Sequence, residues 1–151
     1  MKTLTSFSEL ARAFERNVEE MHIGMAAAMK TSAIALVAEV KAEFDQNPGD
    51  SAVGSNNWVE LKEAAKAEYV RKGVAVDVPL LGNGALRDSI QYQSTETSFS
   101  VGSDSEIAKH QEFGTSTIPP RPFSASALHR AIPNILNTVG KAIEQSLAGE
   151  K

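Results

Sequence analysis

Three histidines, His22, His110 and His129, are the side chains best suited to proton transfer or metal binding, and the chain has no cysteine. No two histidines stand three or four residues apart, as two ligands on one helical face would, and no HExxH occurs. His110 and Glu112 have the HxE spacing used by hydrolytic zinc deaminases, but the PCxxC that completes such a site is absent. Without thiols, disulfides, thiolate nucleophiles and Cys-ligated zinc are excluded. Gly82 and Gly84 in LLGNGALRDS have part of the glycine spacing of a phosphate-binding loop. The third glycine of GxGxxG is missing and no GK[ST] follows, so a turn is the simpler reading. GxSxG is absent, which removes a nucleophile elbow. Asp104, Glu106 and Glu112 are scattered over a short predicted helix and read as a solvated face rather than a catalytic carboxylate pair. Pro119–Pro122 (PPRP) has the character of a polyproline ligand, but a rigid structural turn is the favoured reading. These residues point to no catalytic site, no metal site and no cofactor.

The elements that would position them follow from composition and periodicity. The chain has 151 residues, 42% of them hydrophobic and 23% charged, which suggests one domain able to bury a core. Fifteen basic against nineteen acidic residues leave a net charge of −4, which argues against sequence-specific nucleic-acid binding through a basic face. No uninterrupted apolar run reaches the ~18 residues of a membrane span, and the first ten residues lack a secretory signal's core. A soluble protein made in the cytoplasm, without a membrane partner, is the expectation.

Residues 1–46 read as one long helix. Ser6 and Glu9 have capping-box spacing, and Leu10, Phe14, Val18, Met21, Met25 and Met29 recur at steps of 3 and 4. Unbroken, such a helix is about 55 Å long, longer than a compact domain of this size, so a bend near Gly24 or Thr31 or packing on another subunit is expected. Residues 47–57 read as a polar loop. A second helix is expected over 58–72, with Asn57 as N-cap and Gly73 as its stop. Residues 73–84 form another loop, and both loops are expected to be mobile. Residues 85–123 hold the rest of the middle. Leu86, Asp88, Ile90 and Tyr92 alternate with polar residues, as do Thr97, Phe99 and Val101, which predicts an antiparallel hairpin over 86–93 and 97–101. A short helix over 105–113, capped by Ser103 or Asp104, and an extended proline-rich clasp or edge strand over 114–122 follow. Leu128, Ile132, Ile135, Val139, Ile143 and Leu147 mark a last helix over 124–148, which Pro133 should kink or restart. The predicted fold is α+β, with a long N-terminal helix and a C-terminal helix packed on a small antiparallel β-sheet.

Four fragments stand in order: Trp58-Val59-Glu60-Leu61; Pro79-Leu80-Leu81-Gly82-Asn83-Gly84-Ala85-Leu86-Arg87-Asp88-Ser89-Ile90; Val101-Gly102 with His110-Gln111-Glu112-Phe113-Gly114-Thr115; and Ile118-Pro119-Pro120-Arg121-Pro122-Phe123. Together they resemble the tailed-bacteriophage neck and tail-completion family, which includes phage virion morphogenesis and minor tail proteins. The resemblance covers about residues 58–128. Asn83, Ile107, Gln111 and Pro120 depart from the family pattern, where Thr, Tyr, no residue and Ala are usual.

The resemblance implies a structural, non-enzymatic protein of phage or prophage origin that acts in the head–tail joint or in tail completion. It implies oligomerisation, a ring being one form, and contact with connector and tail proteins. It also implies a virion location, and a ring lumen could pass DNA. A small phage- or prophage-encoded enzyme or adaptor is the alternative. Within the motif, Gly82 and Gly84 suit a tight turn, and Leu86 and Ile90 are expected to face the core from a strand. Phe113 and Phe123 are expected to anchor the two ends of the clasp. Arg121, held between prolines, is expected to pair with Glu112 or with a neighbouring subunit. The stripe of Leu10, Phe14, Val18, Met21 and Met25 is expected to contact another subunit alongside Arg121.

Overall fold

The computed structural model describes residues 6–44, 61–73, 76, 80, 82 and 84–148. The fold is α+β and mostly helical. Its elements are α1 (Phe7–Glu43), α2 (Glu63–Arg71), the single turn α3 (Ala85–Asp88), β1 (Gln91–Ser94), β2 (Phe99–Gly102), α4 (Glu106–Phe113) and α5 (Ser124–Ala148). The two strands form an antiparallel sheet. Contacts divide the chain into two compact units, one of residues 1–33, 93–100 and 133–151, the other of residues 34–92 and 101–132. The expected loop over 47–57, Asn57, Trp58, Leu81 and Asn83 lie outside the described residues.

In the first unit, α1 starts where its cap predicts. The Glu9 N–H donates to Ser6 Oγ at 3.2 Å, satisfying one of the N–H groups a helix leaves open at its start. The helix then runs unbroken through Gly24 and Thr31 for 37 residues. Gly24 serves close packing rather than a break. A Cβ there would lie 3.1 Å from Ser146 Oγ and 3.7 Å from the Ala142 carbonyl of α5. Ala28, Met29, Ser32 and Ala33 of α1 are buried, as is Ser146 of α5. Nearer its start the same apolar stripe is open to solvent: Phe7 is 89% and Phe14 62% exposed, with Leu10 and Val18 also exposed. The hairpin tip meets α1 through Glu96, whose Oε2 lies 3.7 Å from His22 Nδ1.

In the second unit, Leu36, Val40 and Phe44 pack with Leu80, Ile90, Ala108, Phe123, Ala127 and Ala131 as the buried apolar set. The Phe44 and Phe123 rings stand 4.9 Å apart between centroids, tilted by 50°. Glu43 is buried, and Arg130 of α5 pairs with it, lying 3.8 Å from Glu39 as well. That pairing answers the cost of taking a carboxylate out of water.

Several boundaries differ from those read off the sequence. Helix α2 begins at Glu63, with Leu61 and Lys62 outside it and Lys62 at the N-cap in extended conformation. Gly73, at φ 67°, ends it. On this helix the Lys72 ammonium, 2.7 Å from Glu68, holds the Glu68 carboxyl below the usual carboxylate range. Residues 86–88, expected in a strand, lie in the helical turn α3, and β1 begins only at Gln91. Leu86 and Ile90 are four apart, a spacing that fits one helical face as well as one strand face, so alternation there was ambiguous. Ile90 is buried in the link between α3 and β1, and Leu86 is half-buried. All of β1 is exposed. Pro133 lies inside α5 without restarting it. No third strand forms from the clasp among the described residues.

Helix α1 also contains an 18-residue window of mean hydropathy 1.5, long and apolar enough by length and composition to cross a membrane. Counting uninterrupted apolar residues passes over it, because Lys30, Thr31 and Ser32 interrupt the run. One third of that window is buried within the chain, and a core helix meets the same criterion.

Phe123 is 3% exposed, so Phe123→Ala should remove about 3–5 kcal/mol of stability. Denaturant titration measures this, and a loss below ~1 kcal/mol would contradict the packing assigned to the ring.

Candidate functional site

The two fragments around Glu112 and Arg121 come together where α4 hands the chain to α5. Ser105 is the N-cap residue of α4 rather than Ser103 or Asp104, and its N–H donates to Ser103 Oγ at 3.0 Å. Ser103 in turn bonds Ser89 Oγ at 2.7 Å, tying the end of α3 to the start of α4. Gly114 ends α4 at φ 74°, ψ 178°, and its N–H donates to the His110 carbonyl. A Cβ at Gly114 would lie 2.9 Å from both the Ile118 carbonyl oxygen and the Pro120 nitrogen. Backbone atoms cannot swing aside, so glycine is required on two counts, its dihedral and its clearance.

The chain then turns back. The Thr115 N–H donates to the Ile118 carbonyl at 2.8 Å, while Thr115 Oγ1 accepts the N–H groups of Thr117 and Ile118. Pro119 and Pro120 extend it until the Arg121 N–H reaches the Gln111 carbonyl at 2.6 Å. That carbonyl belongs to the last turn of α4, where no intrahelical donor remains.

The Glu112 side chain completes the joint. Its Oε2 accepts the N–H groups of Phe123 and Ser124 at 2.9 and 3.0 Å, and its Oε1 accepts that of Ala125 at 3.1 Å. These are open donors at the start of α5, so a carboxylate from another helix caps it and also complements the positive end of the helix dipole. Glu112 is therefore engaged with backbone, and the expected Arg121–Glu112 pairing is replaced by Arg121 Nη1 donating to Gln111 Oε1 at 3.5 Å. Arg121 is 5% exposed, which removes it from the expected intersubunit surface. Burial pushes the pKa of its guanidinium down, and nearby Tyr69 acts in the opposite sense.

Phe113 departs most from expectation, being 77% exposed instead of anchoring the clasp. Ala108, Gln111 and Glu112 share one face of α4 at helical spacing, and Phe113 falls about 140° round from Ala108. Beside the joint lies a cavity of about 320 Å³ whose walls include Val40, Ile90, Val101, Ala108, Phe123 and Phe113.

The remaining motif residues divide. Gly82 and Gly84 have φ 47° and 81°, the left-handed values their turn requires, and Gly84 is the N-cap residue of α3. Arg87 sits half-buried on α3, and Pro122 half-buried beside Phe123. His110 and His129 are exposed, and so are Asp104 and Glu106. His110 and Glu112 do not converge, because Glu112 turns toward α5. Among the described residues no group of three or more His, Cys, Asp or Glu could hold a metal ion. Leu10, Phe14 and Val18 are exposed and Met21 is half-buried. Sequence reasoning missed Glu43, Arg130, Gln111 and Leu80. Arg130 sits three residues after buried Ala127 on α5, and only the folded chain brings it to Glu43, 87 positions away.

Two substitutions test the joint. Glu112→Ala strands three N–H groups at the start of α5 and should cost about 1–3 kcal/mol, with Glu112→Gln recovering part of it by keeping one acceptor. Gly114→Ala meets fixed backbone atoms and should cost more than the ~1 kcal/mol of a positive-φ penalty alone. Both are read by chemical denaturation, and near-neutral values would contradict the geometry.

No protein-family model matches this chain, and no curated protein or solved structure matches it either.

Proposed function

We propose that this chain is a structural component of a tailed-phage head–tail joint or tail-completion complex, acting in virion assembly between connector and tail. The observation that carries the reading is the ordered set of fragments from Trp58 to Phe123, two of which meet at one joint. There the polar chemistry of the fragments is spent on backbone: Glu112 caps α5, the Gln111 carbonyl accepts the Arg121 N–H, and Gly114 admits the turn. Such a joint supports stiffness rather than turnover. The exposed apolar stripe of α1 supports a protein that completes its burial in an assembly, since a monomer seldom leaves a contiguous apolar patch open.

Inactivating the gene in the phage or prophage that encodes it should leave filled heads and separate tails in electron micrographs. Mass spectrometry of purified particles should detect the chain. Joined, infectious particles formed without it, or its absence from purified particles, would overturn the reading in favour of an enzyme or adaptor.

A further inference from the structure

We propose that the cavity beside the α4–α5 joint binds the C-terminal residue of another protein, taking a large apolar side chain between its walls and the terminal carboxylate at its rim. Such binding goes beyond an assembly role and is read on the isolated chain.

The cavity, of about 320 Å³, lies wholly within the second unit. Val40, Ile90, Val101, Ala108 and Phe123 give it apolar walls. Its volume stands at the lower end of the ~300–1,000 Å³ of ligand clefts, which is room for one large side chain rather than for a cofactor. Helix α4 forms one side. At ~100° per residue, Glu112, Lys109 and Phe113 follow Ala108 round the helix at ~40°, ~100° and ~140°, so the lining passes from a buried methyl to an exposed ring. Phe113, 77% exposed at this edge, gains apolar contact when a side chain enters.

The polar part of the lining selects an anion. Lys109 forms no ion pair among the described residues, and the Ser124 hydroxyl makes no hydrogen bond among them. Glu112 also lines the cavity, but both its oxygens already accept N–H groups at the start of α5. Ser103 Oγ is engaged with Ser89 Oγ and the Ser105 N–H. A cationic ligand would therefore compete for acceptors already in use, whereas a carboxylate meets an ammonium and a hydroxyl that are not.

Two features make the ligand a chain end. The first is that anion and apolar group must reach one cavity together. At the last residue of a chain the carboxylate and the side chain share one Cα, whereas neighbouring acidic and apolar side chains of an extended peptide point to opposite faces. The second is strand β2. The sheet has two strands, so β2 has one edge unpaired among the described residues, and its Val101 and Gly102 line the cavity. A Cβ built on Gly102 meets nothing within 4 Å. An extended peptide can hydrogen-bond to such an edge while its last side chain fills the cavity, which a free small acid cannot do.

Titrating the isotope-labelled full chain with the peptide acetyl-Ala-Ala-Ala-Phe should shift the backbone amide resonances of Ser103, Ala108, Lys109 and Ser124. The same peptide with a C-terminal amide should bind at least ~tenfold more weakly, the loss of a charge-assisted contact. N-acetylphenylalanine, which has no peptide to lay on the strand edge, should bind at least ~fivefold more weakly than the tetrapeptide. Lys109→Ala should abolish the preference for acid over amide, and Lys109→Arg should keep it. Phe113→Ala should weaken acid and amide alike, by about fivefold. Lys109 and Phe113 are exposed, so these variants should keep their helical circular dichroism. Resonance shifts that are absent or lie away from the cavity, an amide that binds as tightly as the acid, or a Lys109→Ala chain that still prefers the acid would each overturn the proposal. N-acetylphenylalanine binding as tightly as the tetrapeptide would make the cavity a site for small free carboxylates and overturn the chain end as its occupant. None of these outcomes depends on the presence of the chain in phage particles, so failure here leaves the assembly reading standing, and the reverse.

Discussion

The carboxylate of Glu112 accepts three backbone N–H groups at the start of α5, and the organisation of the second unit depends on it. A helix start leaves several donors without intrahelical partners, and α5 begins in a partly buried setting where water cannot freely meet them. Supplying the acceptor from α4 fixes the distance between the two helices and the direction in which α5 departs. Phe123, the first of the three residues whose N–H is held, is thereby aimed at Phe44. The Arg121 N–H on the Gln111 carbonyl and the tight turn at Thr115–Ile118 hold the intervening segment against the same helix. The prolines reduce the freedom the clasp would otherwise lose on folding, which makes this short connection less costly to order.

Helix α1 is used differently along its length. Residues 36, 40 and 44 enter the apolar core of the second unit, and Glu43 faces it with Arg130 as counter-ion. Removing one partner of such a pair costs more than the pair contributes, on the order of 3–5 kcal/mol when fully buried, so the ionic contact acts mainly as a constraint on which surfaces meet. Around Gly24 the helix lies against Ala142 and Ser146 through small side chains, and close approach replaces bulk. Nearer its start the apolar side chains become larger as their burial decreases. Propensity alone does not explain large apolar residues on an exposed helical face, because Ala, Lys or Glu serve a solvated helix as well.

The joint and the stripe have complementary consequences. The joint spends its polar chemistry inside the chain: Glu112, Ser103 and Ser89 bond to backbone or to one another, and Gln111 Oε1 accepts from Arg121. The exposed side chains include large apolar ones, Phe7 and Phe14 on α1 and Phe113 on α4, together with leucines of α5 such as Leu136 and Leu147.

The sequence by itself determined the helical character of both ends, the start of α1 at Ser6, the stop of α2 at Gly73 and the extended run of prolines. Each follows from local chemistry: a hydroxyl three residues before a free N–H, a residue without Cβ, rings without N–H groups. Local chemistry was insufficient at Leu86–Ile90, where a spacing of four satisfies helix and strand alike, and the buried neighbours chose the turn. It was insufficient at Phe113 too, because hydrophobicity says that a ring prefers burial but not which face of α4 meets α5. The roles of Glu112, Gly24 and Arg130 were decided by tertiary structure alone. A carboxylate as cap, a glycine as clearance and a guanidinium as counter-ion each depend on an atom supplied by a distant segment, and no periodicity in the chain records where that atom will be.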